Sequence, residues 1–276
     1  MNTQEIDSFG SKYIFSQEEM AKFDSLVPFL DEEEMFILDL KKSYGLEVRE
    51  DLLILFVQLY LLRFAIPYYQ ICEKKFPDSK NILFLRQILY TCLIGRFVDD
   101  LVDKDSQMFK TYESILLFQK YYARILKLLS PEDNSKFHQY LLDSTRYKSP
   151  LIESTLSFQE IKSDVYERIK YFFYEAEHFN VQDQEILKSY VGILLGGLDI
   201  SDLIADNYQI SSSTVVSNYV YHKYTNDEGK LLFNEDLLSF YSDMKATLNA
   251  ETNQLLKHCE EQDLFYTANI LKGILK

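Results

Sequence analysis

Glycine and proline are scarce in this chain of 276 residues, which contains eight glycines and five prolines. Sandwiches, barrels and repeated βα units need many turns, and turns use these two residues heavily. The hydrophobic fraction of 47% and the charged fraction of 26% are typical of a globular protein and not of a disordered chain. The composition therefore predicts an all-α protein with long helices, folded as a single domain over residues 1–276.

Proline and glycine divide the sequence into segments of helical length that carry apolar residues at helical spacing. The segment from Ser16 begins with a capping-box pattern, Gly45 is placed to end a helix, and Pro67 is expected to kink one. The predicted helices are Ser16–Phe29, Glu32–Tyr44, Glu47–Phe76, Ser79–Lys104, Gln107–Leu129, Pro131–Ser144, Leu151–Phe179, Gln182–Asn207, Ser211–Lys223, Glu235–Cys259 and Glu261–Lys276, with a turn at Asn226–Gly229.

The charge of the chain limits its partners. There are 29 basic and 43 acidic side chains, giving a formal net charge of −14, which would be repelled by a phosphate backbone. We therefore expect no nucleic-acid binding.

The three cysteines suggest no disulfide framework, so the cytoplasm is the expected location. No signal peptide is expected at the N-terminus, and the apolar run Leu52–Ile66 is predicted to be a buried core helix rather than a transmembrane segment.

The aromatic residues allow two interpretations. The chain contains 21 tyrosines, 20 phenylalanines and no tryptophan. Most of these rings are expected to fill a large helical core. A second interpretation is a pocket walled by aromatic faces, whose negative π-surfaces can stabilise a cation.

A first acidic cluster follows a strongly apolar segment. Asp99 and Asp103 are four residues apart, so on a helix their carboxylates lie on one face. They would repel each other there, at the negative end of the helix dipole. Mg²⁺ would relieve this repulsion, because it binds one or two carboxylates together with substrate phosphate oxygens. The alternative is a solvated acidic helix end.

A second cluster places Asp199, Asp202 and Asp206 on one face of another apolar helix. Carboxylates on a helix that must bury its sides are costly unless they are paired or bound to metal. Two such helices facing each other would hold a diphosphate through bridging metal ions. Gly192 and Gly196, one turn apart on the same segment, are expected to allow close packing of a neighbouring helix, or else to leave room for a bulky ligand.

The segment from Arg86 to Asp103 resembles the first aspartate-rich helix of the class I isoprenoid synthases. Its sequence Arg96-Phe-Val-Asp99-Asp100-Leu-Val-Asp103 is most similar to the RxVDDxVD pattern of the squalene and phytoene synthase branch. The pair Asp202 and Asp206 resembles the DxxxD of that branch's second motif. This resemblance implies a helical bundle with a central active-site cavity. It also implies an allylic prenyl diphosphate as substrate and more than one Mg²⁺ ion as cofactor, with Mn²⁺ as an alternative metal.

Site residues follow from the same resemblance. The implied catalytic residues are Asp99, Asp103 and Arg96. The oligomeric state that this fold suggests is a homodimer. The implied metal ligands are Asp99, Asp100, Asp103, Asp202 and Asp206. The implied substrate-binding residues are Arg86, Arg96, Asp199 and Lys223.

The chain departs from the branch it resembles, which leaves the reaction open. Leu195, Leu198 and Ser201 stand where the family's second motif carries polar residues. The loss of these polar residues favours a terpene cyclase. Head-to-head prenyl coupling stays a close alternative, because the first motif is most similar to enzymes of that branch. Two further alternatives are a di-iron protein, suggested by the Glu-x-x-His of Glu175 and His178, and a non-catalytic module that binds prenyl chains.

Overall fold

The prediction of a mainly helical protein is confirmed. The computed structural model describes residues 3–8, 11–47, 49–102, 109–151, 156–205, 219–220, 223–226 and 234–275. Within these ranges the chain contains one β-hairpin, and nearly all of the rest is helical. The isoprenoid-synthase architecture and its central cavity stay predictions.

The strands are β1 (Thr3–Ser8) and β2 (Ser11–Ser16). The α-helices are α1 (Gln17–Asp24), α2 (Val27–Tyr44), α3 (Glu50–Tyr60), α4 (Ile66–Glu73), α5 (Ile82–Val102), α6 (Thr111–Ile125), α7 (Pro131–Arg146), α8 (Phe158–Arg168), α9 (Val181–Ala205), α10 (Glu235–Glu261) and α11 (Phe265–Ile274). A π-helical turn spans Leu61–Ala65, and 3₁₀ turns span Ser79–Asn81, Lys170–Phe173 and Glu175–His178.

The described chain forms two compact units, each with its own buried apolar residues. The first unit combines Met1–Lys136 with Lys257–Ile274, and the second comprises Phe137–Leu256. Fully buried side chains of the first unit include Phe15, Leu26, Phe29, Leu61, Leu85, Ile88, Leu89 and Tyr266. Those of the second include Phe137, Ile161, Tyr174, Leu187, Tyr190 and Ile193.

An N-terminal hairpin, which the sequence did not predict, packs against the last helix of the first unit. Strands β1 and β2 pair antiparallel, with Ile6 opposite Tyr13. Tyr13 and Phe15 of β2 are buried, and the ring of Phe15 stacks on Tyr266 of α11 at a centroid distance of 4.9 Å. Only β2 carries an inward-facing aromatic pair, since the described side chains of β1 are largely exposed. The alternation is therefore too short to identify a strand from sequence.

A π-helical turn, Leu61–Ala65, precedes Pro67 in the segment where the sequence predicts a kink, and the kink itself stays a prediction. The amide of Ile66 donates to the carbonyl of Leu61, five residues back. Continuing that pattern would require a donor at Pro67, which has no N–H. The carbonyl of Leu62 instead accepts a hydrogen bond of 2.8 Å from the hydroxyl of Tyr266. A tertiary contact thus satisfies the acceptor that proline leaves without a backbone donor.

The predicted helix ends are partly confirmed. The Ser16 hydroxyl accepts from the Glu19 amide at 3.2 Å and the Glu19 carboxylate accepts from the Ser16 amide, so the capping box is present. Gly45 ends α2 in the left-handed conformation at φ 65°. The break between the first two helices comes just before Pro28 and not after Phe29, because proline is well suited to the first turn of a helix.

The prediction of one helix over Leu151–Phe179 is wrong. Helix α8 covers only part of that range and is followed by two 3₁₀ turns. A cluster of aromatic rings around Phe172 and Phe173 fills this region, and their edge-to-face contact has a centroid distance of 5.4 Å. The predicted helix Ser211–Lys223 and the turn at Asn226–Gly229 lie mostly outside the described residues.

Two helical stretches, Glu50–Glu73 and Ser79–Leu101, are long and apolar enough to cross a membrane by length and composition alone. In the most apolar 18-residue part of each stretch, the share buried inside the protein is 61% for the first and 50% for the second. Core helices of soluble proteins meet the same criterion. The expectation that the chain has no transmembrane segment therefore stays a prediction.

Close packing at Gly192 and Gly196 is confirmed within the second unit. A Cβ atom at Gly192 would lie 2.9 Å from the side chain of Lys162, and one at Gly196 would lie 3.2 Å from the ring of Phe158. Both neighbours belong to α8. These two glycines therefore let α8 approach α9 more closely than any other residue would allow.

Replacing Gly196 by leucine is expected to destabilise the protein by about 1–3 kcal/mol, because the side chain would overlap Phe158 and Ile161. Gly273→Ala is the matched control, since nothing lies within 4 Å of a Cβ at that helical position. We expect it to stabilise the protein by up to about 1 kcal/mol. Urea unfolding of both variants measures the difference, and equal stabilities would contradict the close packing.

Candidate functional site

The candidate site lies at the C-terminal end of α5, in the first unit. Most of this helix is core, and its fully buried residues include Leu85, Ile88, Leu89, Leu93, Ile94 and Phe97. Arg96, Asp99 and Asp100 fall in its last two turns. The structure therefore brings these three predicted site residues together, whereas Asp103 lies outside the described residues.

Asp100 is wholly buried and has hydrogen-bond donors on both carboxylate oxygens. Its Oδ1 accepts from the guanidinium of Arg96. Its Oδ2 accepts from the backbone amide of Phe109 at 2.8 Å and from the hydroxyl of Ser114 at 3.1 Å. A metal ion at Asp100 would have to displace at least one of these partners, because a carboxylate has a limited number of acceptor sites.

Asp99, in contrast, is accessible. Its side chain is 63% exposed, and its Oδ2 lies 3.1 Å from Nη1 of Arg96. Burial alone would lower the pKa of Arg96, but the hydrogen bond to Asp100 and the charge of Asp99 outweigh it and raise the pKa. The arginine is therefore permanently charged and bridges the two aspartates.

Aromatic rings surround the buried side of this helix end. Phe109, whose amide binds Asp100, contacts Phe97 at 5.8 Å and Phe56 at 6.1 Å between ring centroids. Phe56 in turn stacks on Tyr60 at 5.8 Å. Phe56, Phe97 and Phe109 are all buried, so these rings are core side chains that support the end of α5.

Arg86 is on the same helix but not at the same place. It precedes Asp99 by thirteen residues, which is about 20 Å along a helix axis. Its guanidinium pairs with Glu32 of α2 and lies 5.2 Å from the ring centroid of Phe29. The structure therefore does not bring Arg86 to the predicted diphosphate site.

The second motif belongs to the other unit. The backbone of α9 is helical through Asp199 and Asp202, whose side chains are not among the described ones, and Asp206 lies outside the described residues. Lys223 donates a hydrogen bond of 2.8 Å to the hydroxyl of Tyr219, and its Nζ lies 5.4 Å from the ring centroid of Tyr224. The roles predicted for these residues stay predictions.

The fit to a metal ion differs between the two neighbouring aspartates. Among the described side chains there is no group of three or more His, Cys, Asp or Glu that could hold a metal ion. Mg²⁺ needs fewer protein ligands than that, since it keeps several waters and binds through one or two carboxylates. The exposed Asp99 fits this requirement and the buried Asp100 does not.

The di-iron alternative gains no support, and Glu175 and His178 lie in a 3₁₀ turn.

A second polar cluster, which sequence reasoning missed, lies between α2, α5 and α6. Glu33 is fully buried, and its Oε1 accepts from the hydroxyl of Tyr90 at 2.6 Å and from Arg124 at 2.7 Å. The guanidinium of Arg124 lies 3.9 Å from the ring centroid of Phe36 and 4.7 Å from that of Tyr90. This cluster is an ion pair between a fully buried carboxylate and a part-buried guanidinium, and aromatic rings lie against the guanidinium.

The ion pair is only partly satisfied. Glu33 Oε2, Arg124 Nη1 and the hydroxyl of Tyr121 are buried and have no hydrogen-bond partner among the described residues. Burial raises the pKa of Glu33, although the charge of Arg124 opposes this. Burial also raises the pKa of Tyr90, and the negative charge of Glu33 adds to the effect. The cluster is therefore a costly arrangement that depends on all of its members.

The chain matches no model of a known protein family, and neither curated proteins nor solved structures give a significant match.

Proposed function

We propose that the protein is a Mg²⁺-dependent class I terpene synthase that ionises an allylic prenyl diphosphate and releases diphosphate. The resemblance of two aspartate motifs supports this function, together with the helical fold. The observation that carries it is the exposed carboxylate of Asp99, held beside a permanently charged arginine at the end of a buried helix. Asp99 lies at the negative end of the helix dipole, where a bound divalent cation would stabilise its carboxylate further.

The chain's own residues would act by position and charge. Asp99 would hold Mg²⁺ together with Asp103, and the bound metal supplies positive charge that neutralises the departing diphosphate. Arg96 orients Asp99 through Nη1 and adds a fixed positive charge at the same helix end. By the resemblance, Asp202 and Asp206 of the second motif would also be metal ligands. Arg86 is paired elsewhere and takes no part in this proposal.

Head-to-head prenyl coupling is the second candidate function. It uses the same ionisation but joins two prenyl chains, and the first motif is most similar to enzymes of this kind. The observation that favours it is the pattern around Arg96 and Asp99, which the structure keeps together at one helix end. Cyclisation is preferred because Leu195, Leu198 and Ser201 replace the polar residues of the coupling enzymes.

Product analysis distinguishes the two functions. The purified protein is incubated with C10, C15 or C20 allylic prenyl diphosphates and Mg²⁺, and the organic extract is analysed by mass spectrometry. We expect a hydrocarbon or alcohol with the carbon number of its substrate. A product with twice that number would show coupling, and the absence of any product would contradict both functions.

A further inference from the structure

Two neighbouring aspartates at the end of α5 have opposite environments. The side chain of Asp99 is 63% exposed, whereas that of Asp100 is completely buried. Successive residues on a helix point about 100° apart, so only one of the two can face the core. Asp100 continues the buried face formed by Leu93 and Phe97.

The carboxylate of Asp100 joins two helices. Phe109 and Ser114, which donate to Oδ2, lie just before α6 and in its first turns. The same side chain pairs through Oδ1 with Arg96, one turn earlier on α5. Asp100 therefore fixes the end of α5 to the start of α6, on either side of residues 103–108.

Arg96 transmits this constraint to Asp99. One guanidinium nitrogen, Nη2, binds Asp100, and the other, Nη1, binds Asp99 at 3.1 Å. The arginine side chain is only 19% exposed, so its orientation is set by these two carboxylates and by the surrounding core. Loss of Asp100 would free Arg96 and with it the orientation of Asp99.

We propose that Asp100 is a positioning residue and not a metal ligand: through Arg96 and the start of α6 it holds Asp99 in place for a divalent cation. The proposal rests on the function proposed above. It follows from burial, because Mg²⁺ keeps several of its waters and a wholly buried carboxylate offers no room for them. Partners that orient metal ligands in this way commonly change metal affinity by 10–100-fold when removed.

Amide hydrogen exchange at Phe109, measured by NMR, reports directly on the tie between Asp100 and α6. In the wild-type protein we expect Phe109 to stay protected when saturating Mg²⁺ is added. Faster exchange on adding Mg²⁺ would mean that the metal takes Asp100 from Phe109, and this result would overturn the proposal. Without metal, Asp100→Asn should speed exchange about tenfold, while Asp99→Asn should leave it unchanged.

Binding of Mn²⁺, followed by electron paramagnetic resonance of the free ion, tests the effect on the site. Ser114→Ala removes one donor to Asp100 without changing any charge, and we expect it to weaken Mn²⁺ binding about tenfold. Thr91→Val is the matched control. It also removes a buried hydroxyl, but that hydroxyl donates to the carbonyl of Gln87, one turn earlier on α5. Unchanged affinity in Ser114→Ala would overturn the positioning role.

The two proposals fail in different ways. If the wild-type protein binds no Mn²⁺ either alone or with inorganic diphosphate, the proposed function is wrong and the positioning role falls with it. Exchange at Phe109 in the metal-free variants still decides whether Asp100 holds the start of α6. If Mn²⁺ binds but Phe109 loses protection with it, the metal site stands and only the role given to Asp100 is wrong.

Discussion

Replacing Asp99 by asparagine is expected to reduce diphosphate release about a hundredfold or more while leaving the fold and its stability unchanged. The amide keeps the size of the side chain and an oxygen that can accept from Arg96, but it removes the charge that binds the cation. Because the side chain is 63% exposed, the free energy of unfolding should change by no more than about 0.5 kcal/mol. The sequence predicts the same loss of activity for Asp103→Asn.

Asp143→Asn is the matched control for this variant. Asp143 is also an exposed aspartate three residues before the end of its helix, α7, and it accepts a hydrogen bond from Gln139 one turn earlier. We expect it to keep full activity. Full activity in Asp99→Asn and Asp103→Asn would show that the first motif is an ordinary solvated helix end.

Replacing Glu33 by alanine is expected to cost about 2–4 kcal/mol of unfolding free energy. The substitution leaves the guanidinium of Arg124, whose side chain is 24% exposed, without its carboxylate, and its buried Nη1 already has no partner among the described residues. Tyr90 also loses the acceptor of its buried hydroxyl. Urea unfolding at constant pH measures the loss.

Two further variants make this prediction specific. Glu34→Ala, at the next and exposed position of α2, should change stability by no more than about 0.5 kcal/mol. The double variant Glu33→Leu with Arg124→Met should recover most of the loss, because an apolar pair removes the cost of burying the Glu33 carboxylate and part of the Arg124 guanidinium. If Glu33→Ala costs less than about 1 kcal/mol, the ion pair is more hydrated than its burial indicates.

The helical character of the protein could be predicted because scarce glycine and proline, together with helical periodicity, are properties of the sequence itself. Helix ends with a local cause, such as Ser16 and Gly45, were also predictable. The π-helical turn before Pro67 could not be predicted from the sequence, because the freed carbonyl of Leu62 accepts a hydrogen bond from Tyr266, near the other end of the chain.

The candidate site was predictable in position but not in detail. The spacing of Arg96, Asp99 and Asp100 identified the helix end, and the structure keeps these residues together. The sequence carries a signal for the separate role of Asp100, because Leu93, Phe97 and Asp100 recur at the spacing of a single buried helix face. An aspartate on that face is expected to be buried and hydrogen-bonded.

The Glu33 cluster could not have been found from the sequence. Glu33 lies in the run Asp31-Glu-Glu33-Glu34, which is typical of a solvated acidic surface. Its partners Tyr90 and Arg124 are 57 and 91 residues away along the chain. Only the packing of α2 against α5 and α6 determines which of these carboxylates is buried.

Release of inorganic diphosphate by the wild-type protein tests the central claim most directly. The assay uses a C15 allylic prenyl diphosphate, once with Mg²⁺ and once with excess EDTA, and includes C10 and C20 substrates in case chain length limits turnover. We predict release with Mg²⁺ from at least one substrate and none with EDTA. Release that is equal in EDTA, or no release from any of the three substrates, would contradict the account.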